Sequence, residues 1–209
     1  MHFISRRIAC FCDNVFDADV PDSADLQTEP DVEKLITSGD FMAVTCPRCG
    51  KRLTPEFPFR LSLAGGRGEI MLVPEKDRIG LARGKLDYEL GSPYRVVVGF
   101  PELAEKLHIL AAGLDDRVIE IMKYYLLTGA AGGEDQDRDV TLRYKGEEEG
   151  RHVFHVIGLK QGEIGVARLG EEIYSKIAAD VETRVKEEPF QDFCSPPWVS
   201  VLRLDGVDE

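Results

Sequence analysis

The sequence lacks the features that would indicate a membrane protein or a disulfide-bonded secreted protein. Its 209 residues contain no run of about 18 apolar residues, the length that a membrane-spanning helix requires. The basic residues near the N-terminus are not followed by a long apolar segment, so we expect no signal peptide and a cytoplasmic protein. The chain has only five cysteines, and four of them form two close pairs. This arrangement favours metal ligation over a disulfide framework.

Motifs of the common catalytic and phosphate-binding sites are also lacking. None of the four histidines forms an H-x-x-x-H pair, and no serine lies in a G-x-S-x-G elbow. The glycine-rich segment 65–68 has no following helix and no lysine–serine pair, so we interpret it as a hairpin turn. The net charge of −12 argues against a surface that binds nucleic acid. We therefore predict no catalytic residue and no enzymatic activity.

One cysteine pair lies on a tight turn between two strand-like apolar runs, residues 41–44 and 53–63. Cys46 and Cys49 are separated by two residues and followed by Gly50. Pro47 fixes one backbone angle of the turn, and the glycine permits a positive φ. This spacing brings two thiols to one point, as a tetrahedral Zn²⁺ site requires. Strand, turn and strand with thiols on the turn predict one half of a zinc ribbon.

The second pair, Cys10 and Cys12, has the shorter C-x-C spacing. Phe16 stands four residues after Cys12, just as Leu53 stands four residues after Cys49. The two segments therefore look like two copies of the same cysteine turn. We predict one structural Zn²⁺ per chain. Its predicted ligands are Cys10, Cys12, Cys46 and Cys49.

Two other interpretations of the C-x-x-C pair stay open. A redox dithiol would place its first cysteine at the start of a helix, which lowers the thiol pKa. Here Gly50 leads into a strand, which favours structural zinc. The alternative to both is a pair of plain thiols. Cys194 is interpreted as a small buried apolar residue.

Opposite charges are concentrated on either side of the second cysteine turn. Residues 13–40 are rich in acids, and five basic residues follow: Arg48, Lys51, Arg52, Arg60 and Arg67. We favour the interpretation that these charges face each other when the ribbon closes. The alternative is a basic recognition patch.

The remaining sequence predicts an α+β fold in two domains. Zinc-ribbon-like β-hairpins, a mixed sheet and two helices, opened by Pro101 and by Asp115, form a domain of residues 1–130. The acidic, glycine-rich stretch 129–138 is typical of a linker. Residues 138–209 form a small β-β-β-α-β domain, with its helix over 173–185 and its last strand at 199–202.

The helix over 115–128 has an unusually wide apolar face. Its apolar residues cover about 220° of the circumference, whereas a helix on one core needs only about 100°. The second part of this face therefore packs within the chain, or it meets another chain through Tyr124 and Tyr125.

The first 128 residues resemble the CpXC-domain family, a bacterial and archaeal family without an established biochemical function. The matching segments are the Cys10/Cys12 turn, 46–49 and 113–121. The second half looks like the C-terminal extension of many members. The resemblance implies a zinc-ribbon-like fold and no reaction.

Together, these observations predict a non-enzymatic protein that binds an unknown protein partner or itself. The alternatives are a zinc- or thiol-dependent enzyme, a redox protein that uses the C-x-x-C pair, and a protein that binds nucleic acid through the ribbon.

Overall fold

The chain folds into two compact units. The computed structural model describes residues 1–85, 94–130 and 140–206. Contacts within the chain divide it into Met1–Ala104 and Glu105–Glu209. Most of the stretch on which the domain limits 1–130 and 138–209 depend lies outside the described residues, so those limits stay a prediction. None of the described helices combines the length and apolarity that crossing a membrane requires.

The first unit contains a five-stranded mixed sheet and a small two-stranded hairpin. Its elements are β1 (His2–Ala9), β2 (Val15–Asp25), α1 (Asp31–Ser38), β3 (Val44–Thr45), β4 (Arg52–Leu53), β5 (Phe59–Ser62), β6 (Glu69–Val73), α2 (Arg78–Ala82), β7 (Arg95–Val98) and the start of α3 (Gly99–Ala111). The sheet order is β1-β2-β5-β6-β7, and β3 pairs with β4. Strands β2 and β5 are parallel, as are β6 and β7, and the other neighbours are antiparallel. The predicted α+β class with a mixed sheet is confirmed.

Two hairpins of this unit end in the cysteine turns. Ile8 pairs with Phe16 across β1 and β2, just before the first turn. Val44 pairs with Leu53 across β3 and β4, just before the second. The predicted strand at 41–44 is wrong except for Val44, because Met42 adopts a φ of 54° that a strand does not allow.

The glycine-rich segment 65–68 connects β5 and β6, as the hairpin interpretation predicts. Leu63 N–H donates to the Gly68 carbonyl at 2.9 Å and closes the turn. Gly68 has a φ of 106°, and a Cβ atom there would lie 2.7 Å from Tyr94 Cβ. Only glycine meets both conditions at this position.

The second unit packs helices around an antiparallel three-stranded sheet. Its elements are the remainder of α3, α4 (Asp116–Ala130), β8 (Thr141–Glu148), β9 (Arg151–Lys160), β10 (Glu163–Gly170), α5 (Glu171–Ala178), α6 (Val181–Arg184), α7 (Phe190–Cys194) and a 3-10 helix (Val201–Gly206). The strand order is β10-β9-β8. The predicted three strands and following helix are present, although the helix is broken between Ala178 and Val181.

The predicted last strand at 199–202 is wrong. Side chains take the backbone groups that a strand would give to its neighbour: the Val199 carbonyl accepts from Lys106 Nζ at 3.0 Å, and Val201 N–H donates to Glu120 at 2.8 Å. The chain then turns into the 3-10 helix, with Arg203 N–H donating to the Ser200 carbonyl.

Most of the wide apolar face of α4 packs within the second unit. Val118, Ile119, Ile121 and Met122 are completely buried in its core. The Tyr124 ring lies 5.6 Å from Phe190 and 5.5 Å from Phe193. The Tyr125 ring lies 5.9 Å from Phe190, and its hydroxyl accepts from Arg184 at 2.8 Å. Both tyrosines therefore have contacts within the same unit, and Tyr125 is still 40% exposed, so contact with another chain stays a prediction.

Charged side chains occupy the interior of the second unit. Lys123 is completely buried, and its Nζ lies 2.9 Å from Glu120 Oε1 and 3.1 Å from Glu105 Oε1. Glu105 also accepts from Arg143 at 3.3 Å and from the Tyr144 N–H at 2.6 Å. We call Glu105, Glu120, Lys123 and Arg143 the buried ion cluster.

The two carboxyl groups of this cluster differ in their surroundings. Burial disfavours the Glu105 carboxylate, but the positive charges of Lys123 and Arg143 outweigh burial and lower the pKa of Glu105 below its usual value. At Glu120 the effect of burial prevails and raises the pKa of the carboxyl.

Candidate metal centre

The structure brings the four predicted ligands together at one end of the first unit. Cys10 Sγ lies 3.6 Å from Cys49 Sγ, and Cys12 Sγ lies 3.8 Å from Cys46 Sγ. All four sulfur atoms lie within 4.8 Å of one another. Among the described residues, this is the one group of three or more histidine, cysteine or acidic side chains close enough to share a metal ion.

These distances fit a tetrahedral thiolate site. A Zn–S bond of about 2.3 Å places neighbouring sulfurs of a regular tetrahedron about 3.8 Å apart. The two short Sγ–Sγ distances, 3.6 and 3.8 Å, match that edge. The four cysteines could therefore hold a metal ion with little movement. Thiolate ligands in this geometry suit zinc or an iron–sulfur centre rather than magnesium or calcium.

The two cysteine turns use the same backbone hydrogen bond despite their different spacing. The N–H of Cys10 donates to the Asn14 carbonyl at 2.9 Å, and the N–H of Cys46 donates to the Lys51 carbonyl at 2.9 Å. In both turns the acceptor is the second residue after the second cysteine. The C-x-C turn is therefore a shortened form of the C-x-x-C turn.

The residue after the second cysteine adopts a left-handed conformation in both turns. Asp13 has a φ of 62° and Gly50 a φ of 71°. Glycine accepts this conformation without strain, whereas aspartate tolerates it at some cost. The sequence predicted the positive φ at Gly50 but gave no such signal at Asp13.

Burial and hydrogen bonding distinguish the buried thiols. Burial disfavours the Cys46 thiolate, but the N–H groups of Cys49 and Arg48 outweigh burial and lower the pKa of Cys46 to about 6. The N–H of Cys12 favours the Cys10 thiolate, but burial and the neighbouring thiols prevail and raise the pKa of Cys10 to about 12. Asn14 Nδ2 lies 3.7 Å from Cys46 Sγ and supports negative charge there.

Basic and aromatic side chains surround the accessible side of the cluster. Arg48 donates to the Cys12 carbonyl at 3.3 Å and so joins the two turns. Lys51 Nζ lies 4.5 Å above the ring of Phe11, which is 84% exposed. These contacts hold two basic side chains on the cysteine turns, Arg48 against the Cys12 backbone and Lys51 against the Phe11 ring.

The predicted pairing between the five basic residues and the acidic segment 13–40 is found for part of these residues. Arg52 forms an ion pair with Asp40, which belongs to the acidic segment. Arg60 instead pairs with Glu69 on β6 at 2.6 Å.

A buried histidine in the second unit has no counterpart in the sequence predictions. His152 is completely buried, with Nε2 2.8 Å from Glu171 and Nδ1 3.4 Å from the Tyr144 hydroxyl. The partners of His152 come from β8 and α5, which local sequence does not bring together.

The comparisons with known proteins agree with this arrangement. A family model described as CpXC protein matches residues 8–123, more than half of the chain and all four clustered cysteines. An uncharacterized protein of Treponema pallidum (strain Nichols) is 25% identical over 187 residues, which cover 82% of this chain and 86% of the relative. No solved structure matches. The extent of the family match shows that the chain belongs to the CpXC family.

Proposed function

We propose that Cys10, Cys12, Cys46 and Cys49 bind one structural Zn²⁺, which holds together the cysteine end of the first unit. The observation that carries this proposal is the approach of four sulfur atoms to within 4.8 Å of one another. Cys10 and Cys46 also belong to a small apolar cluster with Ile8, Val20 and Leu53, and Cys12 packs against it. An ion bound there would link both hairpins to this cluster.

The ligand set favours a structural role over a catalytic one. A catalytic zinc site keeps one coordination position for water or substrate, whereas four protein ligands fill a tetrahedral site. Four thiolates here would occupy every position. This is the support for a protein without enzymatic activity.

Elemental analysis with matched variants tests the metal. We expect one zinc ion per chain in protein purified without added metal. Cys46→Ser removes one ligand and lowers the zinc content, whereas Cys194→Ala changes a cysteine outside the cluster and leaves it unchanged. Wild-type protein without zinc, and with a stability that chelator does not change, contradicts the proposal.

We further propose that the cysteine end of the first unit contacts another protein. Phe11, between two ligand positions, is 84% exposed, and Lys51 lies against its ring. Large aromatic side chains are enriched at the centre of protein interfaces. A metal that fixes both turns would also fix the position of this side chain.

Affinity capture with two matched variants tests this role. Phe11→Ser removes the exposed ring at the turn, and Phe3→Ser removes another exposed phenylalanine from β1. We expect one protein captured by wild type to be lost with Phe11→Ser and kept with Phe3→Ser, with zinc content unchanged in both. Equal capture by all three proteins contradicts a contact through Phe11. Capture of nucleic acid that falls steeply with salt supports the ribbon as a nucleic-acid site instead.

A further inference from the structure

The four clustered cysteines differ in their access to solvent. Cys46 and Cys10 are 1% and 6% exposed, Cys12 is half-buried, and Cys49 is exposed. A small solute therefore reaches Cys49 first. A site that served only to hold an ion would gain nothing from this asymmetry, because an exposed thiolate is also open to oxidants.

Each short sulfur–sulfur distance joins an accessible cysteine to a buried one. Cys49 lies 3.6 Å from Cys10, and Cys12 lies 3.8 Å from Cys46. A disulfide bond is about 2.05 Å long, so the first pair needs an approach of only about 1.5 Å. Each pair also takes one cysteine from each turn, and a disulfide would link the two hairpins directly.

The chain around Cys49 has the character of a reactive thiol site. Reactive cysteines lie in partly exposed, electropositive surroundings, because the thiolate is the nucleophile. Arg48 precedes Cys49, Lys51 follows it by two residues, and both side chains are exposed.

We propose that the cluster is a modification site for hydrogen peroxide, with Cys49 as the attacking thiolate and Cys10 as its disulfide partner. This inference rests on the proposed metal site. The Cys49 sulfur attacks one peroxide oxygen, the O–O bond breaks, and the leaving oxygen departs as water after taking a proton. Cys49 is then a sulfenic acid.

The Cys10 thiolate closes the reaction. Its sulfur attacks the Cys49 sulfur, the S–S bond forms, and the S–O bond breaks to release a second water after protonation. Two thiolates have lost two electrons in total, and one peroxide has been reduced to two waters. Only Cys12 and Cys46 remain as thiolates. Two ligands do not complete a tetrahedral site, so the chain loses its hold on the ion.

The test uses full-length protein that contains zinc. Hydrogen peroxide is added in steps, released zinc is followed with a colorimetric indicator, and cysteines are mapped by mass spectrometry after alkylation in acid. We expect about one zinc ion to be released per peroxide consumed, a Cys10–Cys49 disulfide to form first, and Cys194 to stay reduced. A thiol reductant should restore zinc binding.

Variants outside the ligand set test the role of the surroundings. Arg48→Gln and Lys51→Gln keep all four cysteines, and their zinc content is measured before oxidation so that the release rate is compared per bound ion. We expect each to slow zinc release by about two- to threefold, because each removes one positive charge beside the thiolate. Lys145→Gln, a change on the second unit, should leave the rate unchanged.

The possible failures are distinguishable. Protein that is purified without zinc contradicts the proposed metal site itself. Protein that keeps its zinc and four unmodified thiols in excess peroxide contradicts only the modification site. A first disulfide between Cys46 and Cys49 overturns the assignment of Cys10 as the partner.

Discussion

The first unit brings four thiols together at the ends of two hairpins, whereas the second unit encloses charged side chains in its interior. The buried ion cluster contains two carboxylates, Glu105 and Glu120, and two cations, Lys123 and Arg143. It is neutral by itself. The cysteine cluster has no such internal balance, because its four thiols would carry only negative charge once metal binding deprotonates them.

This difference determines what each unit needs in order to fold. A buried charge is tolerated when its partner is buried with it, and the second unit supplies every partner from its own chain. Under the proposed function, the first unit supplies only the ligands, and the positive ion comes from outside. The apolar cluster around the cysteines is also small, whereas the core of the second unit joins α4, α5, α7 and the sheet.

The largest effect expected from this comparison is the response to metal removal. Metal-binding free energy at a structural thiolate site is folding free energy, so a strong chelator should unfold the cysteine end of the first unit. The second unit should keep its structure. Hydrogen-exchange mass spectrometry measures both in one experiment, through peptides from 1–60 and from 141–204.

The control for chelation is excess zinc, which should return exchange in residues 1–60 to its starting rate. Equal loss of protection from hydrogen exchange in both units would contradict the expectation that the second unit is stable without the metal. Unchanged protection in residues 1–60 would contradict a structural metal.

The next largest effect concerns Lys123. Lys123→Met leaves Glu105 paired with Arg143 and removes the cation paired with the buried Glu120. Loss of one partner of a buried ion pair typically costs about 3–5 kcal/mol. The chain has one tryptophan, Trp198, which is 5% exposed in the second unit. Urea unfolding followed by Trp198 fluorescence therefore reports the free energy of unfolding of the unit that contains Lys123.

Two further variants separate charge from packing. The double variant Lys123→Met/Glu120→Gln removes one charge of each sign, keeps the Glu105–Arg143 pair, and should recover much of the lost stability. Lys145→Met changes an exposed lysine of β8 and should shift stability by no more than about 0.5 kcal/mol. If the double variant is as unstable as Lys123→Met, unpaired charge is not the cause.

The two clusters also differ in how far sequence alone predicts them. The metal ligands follow from local spacing, because two cysteines two or three positions apart on a turn converge whatever the rest of the chain does. The equivalence of Phe16 and Leu53 even predicted that the turns are related, and the matching hydrogen bonds from Cys10 and Cys46 bear this out.

The buried ion cluster could not be predicted in this way. Glu120 and Lys123 lie on the polar side of α4, and the polar side of an amphipathic helix is expected to face solvent. Their burial depends on other elements: Glu105 of α3 pairs with Lys123, and Arg143 of β8 pairs with Glu105. The strand predicted at 199–202 failed for the same reason, because it depended on partners distant in sequence. The backbone of 199–201 bonds to the side chains of Lys106 and Glu120 instead of to another strand.

The smallest expected effect is a pH dependence with opposite signs at the two buried carboxyls. The pKa of Glu105 is below its ordinary value of 4.5, so its stabilising effect is present above that value and is lost as the pH falls through the folded pKa. The pKa of Glu120 is raised above 4.5, so the cost of burying its charge is relieved as the pH falls toward 4.5, and the folded state gains stability.

Two variants measure these opposite trends. The free energy of unfolding of wild type should exceed that of Glu105→Gln by less in acid than at neutral pH. The difference between wild type and Glu120→Gln should instead move in favour of wild type in acid. Urea unfolding followed by Trp198 fluorescence across this pH range measures both differences against the wild-type protein. Glutamine is chosen because it keeps an oxygen that can accept the Tyr144 or Val201 N–H. Differences that change in the same direction would show that the two carboxyls titrate as equivalent groups, in conflict with the unequal surroundings that Lys123 and Arg143 create.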